Sequence, residues 1–296
     1  MTQAATGDHL VRGLVEGINA RVVACVTTEL VHEACRLQGT LPSATVALGR
    51  ALSAAALMVA LLKDKQRVSL KFEGSGPLRK VIAEADADGA VRGTVGDPQI
   101  DLPRSGDGIA VAPALGRAGF LTVRKDLGLK QPYSGTVQLW NSEIAADLAY
   151  YFTESEQLPS AVGLGVFLDG KGGVAAAGGF LLQALPPSDP EAVEALAHHA
   201  DAAPPLSELL LQGMDAKQLL AQILGALPFR VLERRPLRFR CSCSRERVEQ
   251  ALVSLGPEQL GEMIAAGEDG DIGCEFCRRH YVIAAADLAR LLHRRH

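Results

Sequence analysis

The chain contains 296 residues, a length that suits one or two domains. Hydrophobic residues make up 48% of the sequence and charged residues 22%, which is typical of soluble globular proteins and excludes a disordered polymer. The net charge of −4 excludes a polycation that coats nucleic acid, and six cysteines are too few for a disulfide scaffold in a chain of this length.

The N-terminal region begins with a segment predicted to be a loose tail, residues 1–9, which has no basic stretch followed by an apolar one. We therefore expect no signal peptide and a cytoplasmic, reducing location. Strand-forming residues follow around Val22–Thr28, and then an alanine-rich segment, Ser43–Leu62. Its longest charge-free run is Ala51–Leu62. That run is shorter than the roughly 20 residues needed to span a bilayer, so it predicts a buried helix.

From Arg67 onward the sequence changes to strand-like runs separated by Gly, Pro and Asp-Gly turn signals. A helix is predicted from near Asn141 to before Pro159, followed by strands Ala161–Leu168 and Val174–Leu182. Because the strands come in runs instead of alternating with helices, residues 1–185 are predicted to form an α+β domain of mixed sheet and helix.

A helical linker is predicted over residues 186–233. Ser188 and Glu191 form a capping-box pattern for a helix through His199. Two short leucine-rich helices, SELLLQG and DAKQLLAQILGAL, follow before Pro228. Short helices are marginal alone and need a surface to dock on, so this linker is predicted to be metastable.

The last predicted domain spans residues 234–296. Ser244 is predicted to cap a helix that stops at Gly256, Pro257 opens the next helix, and Gly267 closes it. A further helix is predicted near Ala284 to Leu292. A domain of about sixty residues is near the lower limit for folding on its apolar core alone, so we expect an additional stabilising element.

Paired cysteines supply that element. Four of the six cysteines fall in two close pairs: Cys241, Cys243, Cys274 and Cys277. In a cytosolic chain such pairs indicate metal ligands, and four thiolates suit a closed tetrahedral zinc site. The alternatives are four unrelated thiols, or a ligand or supporting role for His280, which four cysteines make unnecessary.

The first pair leaves one residue between its cysteines, whereas zinc fingers normally leave two to four. Such a pair can also close into a strained, reducible disulfide, and nearby arginines keep thiolates nucleophilic. The four cysteines are therefore predicted to hold zinc when reduced and to form two local disulfides when oxidised. Cys25 and Cys35 lie in apolar surroundings and are predicted to be buried and inert.

These properties predict a switch. Structural zinc contributes about 10–16 kcal/mol of apparent folding free energy in small zinc peptides, whereas a whole domain is stable by about 5–15 kcal/mol. Loss of zinc is therefore expected to unfold residues 234–296, and disulfides that close tiny loops return little stability. The linker would then lose its support and expose leucine-rich surface, which suits the binding of unfolded proteins.

Six long motifs, spread over nearly the whole chain, give it a family resemblance. They are LKFEGSGPLRKVIAEADADGAVRG, LTVRKDLGLKQPYSGTVQL, EIAADLAYYFTESEQLPSAVGLGV, AAGGFLLQ, RFRCSCSRERVEQALVSLG and CEFCRRHY. With these motifs the sequence resembles the bacterial redox-regulated chaperones of the heat shock protein 33 family (33 kDa chaperonin).

The resemblance implies an N-terminal α+β domain, a metastable linker and a C-terminal zinc domain. It implies an ATP-independent holdase that hypochlorous acid, or peroxide with heat, activates by expelling zinc. It assigns the four paired cysteines as zinc ligands in the reduced form and implies the disulfides Cys241–Cys243 and Cys274–Cys277 on oxidation. Unfolding client proteins are the implied partners, and the oxidised form is expected to be a homodimer.

Two competing functions are less well supported by the sequence. Residues 230–296 contain twelve arginines and no lysine against ten acidic residues, a balance too mild for a dedicated nucleic-acid-binding domain. The sequence has no phosphate-binding or zinc-protease motif, and four cysteine ligands leave no open metal position for catalysis. A thiol oxidoreductase would normally place Cys274 and Cys277 near a βαβ pattern, which is missing. We therefore expect neither an enzyme nor a nucleic-acid or membrane partner.

Overall fold

The computed structural model describes residues 7–103, 109–187, 190–265 and 269–293. The chain divides into two compact units, Met1–Arg240 and Cys241–His296. The segment predicted as a linker, 186–233, lies within the first unit. The division of the chain into three functional parts stays a prediction.

The described residues form the following strands and helices, numbered in chain order. The strands are His9–Val15 (β1), Ala20–Val26 (β2), Arg67–Gly74 (β3), Lys80–Asp86 (β4), Ala90–Val95 (β5), Gly119–Asp126 (β6), Tyr133–Gln138 (β7), Ser160–Leu168 (β8), Val174–Ala184 (β9), Phe229–Pro236 (β10), Arg238–Phe239 (β11), Gly270–Gly273 (β12) and His280–Ile283 (β13). The helices are Thr28–Gln38 (α1), Pro42–Val59 (α2), Ala112–Leu115 (α3), Ile144–Glu154 (α4), Pro190–Ala202 (α5), Leu206–Leu211 (α6), Ala216–Leu224 (α7), Arg245–Leu255 (α8), Pro257–Ala265 (α9) and Ala285–His293 (α10).

Two sheets build the first unit. One has the order β10-β1-β2-β9-β8 and is antiparallel throughout. The other has the order β11-β5-β4-β3-β6-β7, and its only parallel pairing joins β11 to β5. In β4 buried and half-buried residues alternate, as expected for a strand with one face on the core. The α+β class predicted from the sequence is confirmed.

Helix α2 is the centre of the first unit and packs against strands of both sheets. By length and composition alone it is apolar enough to cross a membrane, but 89% of it is buried inside the protein. Gly49 allows this packing, because a Cβ atom there would lie 2.6 Å from Val31 Cγ1 and 2.7 Å from Val166 Cγ2. Arg50, beside it, is paired with Glu143 at 2.6 Å. The predicted buried helix is confirmed.

Helices α5, α6 and α7 cover the second face of the five-stranded sheet. Strand β9 is buried on both faces, because Leu181 joins the core around α2 whereas Phe180 and Leu182 join the core under α5–α7. The helices contribute Leu196 from α5 and Leu219 from α7 to this second core, among others. Three short helices are thus held by one apolar sheet face, as their marginal propensity requires.

The second unit has a small core. Helices α8, α9 and α10 and the β12–β13 hairpin bury five hydrophobic residues together among the described part of this unit: Leu252, Leu260, Ile283, Leu288 and Leu291. Ser244 caps α8 by accepting a hydrogen bond from the Arg247 N–H at 3.3 Å, and Gly256 follows its end. The predicted start and end of this helix are confirmed, as is the start of α9 at Pro257.

Two parts of the chain differ from the sequence-based expectation. Residues 1–9 were expected to be a loose tail, but Asp8 and His9 are buried and His9 begins β1. The last part of the predicted helical linker also differs, because residues from Phe229 onward belong to the edge strand β10, which pairs with β1. The predicted helix signals at Ser188 and Gly267 lie outside the described residues.

Candidate metal centre

Two short backbone segments carry the four paired cysteines. Cys241 and Cys243 lie in a segment that is neither helix nor strand, between β11 and the Ser244 cap of α8. Cys274 and Cys277 lie in the turn that joins β12 to β13. This turn is closed by hydrogen bonds from the Arg278 N–H to the Cys274 carbonyl and from the Cys274 N–H to the Arg279 carbonyl, both at 2.9 Å.

The turn brings the two cysteine pairs face to face. The Sγ atoms of Cys241 and Cys274 are 3.6 Å apart, and those of Cys243 and Cys277 are 3.4 Å apart. All four Sγ atoms lie within 4.8 Å of one another. A tetrahedral ion with metal–sulfur bonds of about 2.3 Å has sulfur–sulfur edges of about 3.8 Å. Both the donor set and the spacing therefore fit one four-coordinate metal ion.

Polar groups around the sulfur atoms favour the thiolate form of Cys243. Burial raises the pKa of this thiol, but hydrogen bonds from the Tyr281 hydroxyl and the neighbouring thiols outweigh it and lower the pKa to about 7. The Tyr281 hydroxyl donates to Cys243 Sγ at 3.1 Å. Burial raises the pKa of Cys277 to about 12. A metal cation would favour the thiolate form of all four cysteines, because metal ligands must be deprotonated.

The four thiols are accessible as well as clustered. Each of the four is only half-buried. The Arg279 guanidinium is hydrogen-bonded to Tyr281, and nearby thiol and phenol groups raise the pKa of Arg279. Thiolates that are partly exposed and close to a cation react readily with oxidants. The cluster is thus compatible with metal binding and with redox regulation.

Comparison with protein families identifies the family to which the chain belongs. Residues 8–284 match the family described as Hsp33 protein. The chain belongs to the Hsp33 family. This match includes all four paired cysteines and ends directly before α10.

Relatives agree with this family over nearly their full lengths. The 33 kDa chaperonin of Citrifermentans bemidjiense is 53% identical to this Hsp33 chain over 285 residues, covering 96% of this chain and 97% of the relative. The 33 kDa chaperonin of Geobacter sulfurreducens is 52% identical, with 98% and 96% covered. The crystal structure of the 33 kDa chaperonin (heat shock protein 33 homolog) from Thermotoga maritima superimposes with a TM-score of 0.88 at 36% identity, covering 97% of this chain and 98% of that one.

The remaining candidate residues of this Hsp33 chain lie apart from the cluster. His280 is exposed and its Nδ1 atom lies 2.9 Å from Asp271 Oδ1. Cys25 and Cys35 are buried, as predicted. Burial raises the pKa of both thiols, to about 11 for Cys35. The sequence analysis missed Tyr281, because nothing in the motif CEFCRRHY indicates that the tyrosine hydroxyl turns back toward Cys243.

Proposed function

We propose that this chain is a redox-regulated, ATP-independent holdase of the cytoplasm, inactive when reduced and metal-bound. It acts as a chaperone, not as an enzyme, and its clients are unfolding proteins under oxidative stress. The observation that carries the proposal is the four-thiol cluster in a chain of the Hsp33 family. The names of the relatives support the chaperone class, and the cluster supports redox control.

Zinc is the proposed metal, with Cys241, Cys243, Cys274 and Cys277 as its ligands. Four thiolates at these distances suit the closed tetrahedral sites that zinc occupies in proteins. Two molecules of hypochlorous acid would each take two electrons from one thiolate pair and leave as chloride and hydroxide. The disulfides Cys241–Cys243 and Cys274–Cys277 would form and the zinc ion would be released.

Release of the metal would unfold the second unit. Its described core consists of the five hydrophobic residues around Leu260 named above, too few to hold about fifty residues without help. Zinc contributes about 10–16 kcal/mol in comparable small sites. Disulfides that close loops of one or two residues replace little of this free energy.

The client-binding surface is proposed to be the apolar layer between α5–α7 and the five-stranded sheet. On the sheet side this layer includes Val22, Phe180 and Leu182, and on the helix side Leu209 and Leu220. All are buried while the helices are docked. Undocking would expose a continuous apolar surface of the kind that binds other proteins. Two active copies are proposed to associate as a homodimer.

Aggregation of an unrelated, heat-sensitive protein tests the function. We expect light scattering to be suppressed by this chain after treatment with hypochlorite, without ATP, and not by the zinc-loaded reduced chain. Re-reduction with dithiothreitol and zinc should abolish the suppression, which separates reversible disulfide chemistry from oxidative damage. Equal behaviour of the oxidised and reduced samples would contradict redox control.

A further inference from the structure

The chain segment immediately before Cys241 is bound to both sheets. Strand β10 ends at Pro236 on the five-stranded sheet, and β11 begins at Arg238 on the six-stranded sheet. Leu237 between them is only 6% exposed and belongs to the central core. The Arg238 N–H donates to the Gly89 carbonyl at 3.0 Å, and the Arg240 N–H donates to the Val91 carbonyl at 3.1 Å.

The carboxylate of Asp88 also binds the two arginine side chains of this segment. Asp88 Oδ2 lies 2.9 Å from Arg238 Nη2 and 2.8 Å from Arg240 Nη2. Arg238 Nη1 donates in addition to the Asp88 carbonyl oxygen at 3.1 Å. Asp86 Oδ2 lies 3.7 Å from Arg240 Nη2, while Asp86 also pairs with Arg67. Asp88 is therefore the acidic residue shared by both arginines of the segment.

The turn that carries Asp88 is shaped to receive the segment. Asp88 Oδ1 accepts the Ala90 N–H at 3.1 Å and closes the turn between β4 and β5. Gly89 has a φ of +84°, and a Cβ atom there would lie 2.1 Å from the Pro236 carbonyl oxygen. A side chain at this position would thus be both conformationally strained and in collision with the segment.

We propose that Asp88 is a positioning residue that limits how far unfolding spreads from the cysteine cluster into the linker. This inference rests on the function proposed above. Cys241 directly follows Arg240, so unfolding that starts at the metal centre meets residues 236–240 before it reaches β10 and α7. While Asp88 holds these residues, the second unit unfolds alone. When this contact opens, β10 separates from β1 and the covering helices α5–α7 lose their C-terminal anchor.

The size of the effect follows from the exposure of the ion pairs. The side chains of Asp88, Arg238 and Arg240 are nearly half exposed, so each pair is screened by solvent and salt. A shared carboxylate with two partners is expected to change the opening equilibrium about three- to fivefold. Such a contact sets a threshold and does not hold the fold together, which suits a regulatory position.

The variant Asp88→Asn tests the proposal with little risk to folding. Asparagine keeps the Oδ1 acceptor for the Ala90 N–H and forms an Asn-Gly turn, which hairpins favour. It replaces the anionic Oδ2 atom with an N–H donor that faces two guanidinium groups. In the full-length reduced chain treated with a zinc chelator, we expect hydrogen exchange in 216–224 and 229–240 to be about three- to fivefold faster than in the wild type.

Matched controls separate charge from a general loss of stability. Glu73→Gln removes an equally exposed acidic residue that pairs with Lys71 in the same sheet, and should leave exchange in 216–240 unchanged. Raising sodium chloride to 0.5 M should accelerate exchange in the wild type but not in Asp88→Asn. Asp88→Glu restores the negative charge and should restore this salt dependence.

The results that would overturn the proposal are distinct from those that would overturn the chaperone function. Equal exchange in Asp88→Asn and the wild type would show that Asp88 does not limit spreading. The same conclusion would follow if the chelator did not change exchange in 229–240 of Asp88→Asn. These measurements need no client protein. A chain that never suppresses aggregation would instead contradict the holdase function, whatever its exchange rates.

Discussion

Asp8 is a carboxylate that the fold buries at the start of α1. It accepts hydrogen bonds from the Leu30 N–H at 2.6 Å and the Glu29 N–H at 3.2 Å. Burial raises its pKa to about 6, and these backbone hydrogen bonds offset only part of that effect. The ionised form is therefore less stable in the folded protein than in the unfolded chain, where the pKa of an aspartate is about 3.9.

The raised pKa of Asp8 predicts that the stability of the first unit depends on pH. Because the folded state binds the proton more tightly, the free energy of unfolding should rise as the pH falls from about 7 toward 4. The gain from this residue between pH 7 and pH 5 is about 1 kcal/mol. Urea unfolding followed by the fluorescence of Trp140, the only tryptophan, measures it. Asp8→Asn should lose this contribution, and identical pH slopes in both proteins would contradict it.

Helix α7 is the covering element with the most complete burial. Leu219 and Leu220 are 0% exposed, whereas Leu211 at the end of α6 is 58% exposed. Leu219→Ala should destabilise the docked helix by about 2–5 kcal/mol because it leaves a cavity. We expect the reduced variant to bind a hydrophobic dye and to lose protease resistance in 190–228. Leu211→Ala is the matched control and should behave like the wild type; if both variants behave alike, α7 does not hold the cover in place.

The elements that were predicted well from the sequence are those whose ends are marked by local sequence signals. Ser244, Gly256 and Pro257 mark helix ends by their own chemistry, and all three stand where the structure ends or begins a helix. The buried α2 followed from the apolar composition of one segment. The cysteine cluster followed from pair spacing, because metal ligands need short chain separations within each pair.

The elements that sequence missed depend on partners far along the chain. Strand β10 contains four charged residues and little apolar periodicity, and it is a strand because β1 lies beside it. Asp8 was assigned to a tail, yet the N-terminus of α1 buries it. Asp88 and Arg238 are 150 residues apart in the sequence, and no local sequence pattern predicts such a contact.

On the scale of the whole molecule, the two units differ in how they are stabilised. The first unit has two large apolar cores, one around α2 and one under α5–α7. The second has the small core around Leu260 and the four-thiol cluster. Since an intact metal site supplies about as much free energy as a whole domain has in reserve, removing the ligands should act on the second unit selectively.

The double variant Cys274→Ser, Cys277→Ser tests this difference without any oxidant. We expect it to bind no zinc and to lose protease resistance in 241–296, while residues 7–185 keep theirs. Zinc analysis and limited proteolysis with mass spectrometry measure both effects. Cys35→Ser is the matched control, because Cys35 is buried in the first unit and donates to the Thr45 carbonyl at 3.9 Å, which a hydroxyl can also do. A double variant that retains both zinc and a protease-resistant second unit would show that the small core, and not the metal, holds the unit together, and the switch would then need another origin.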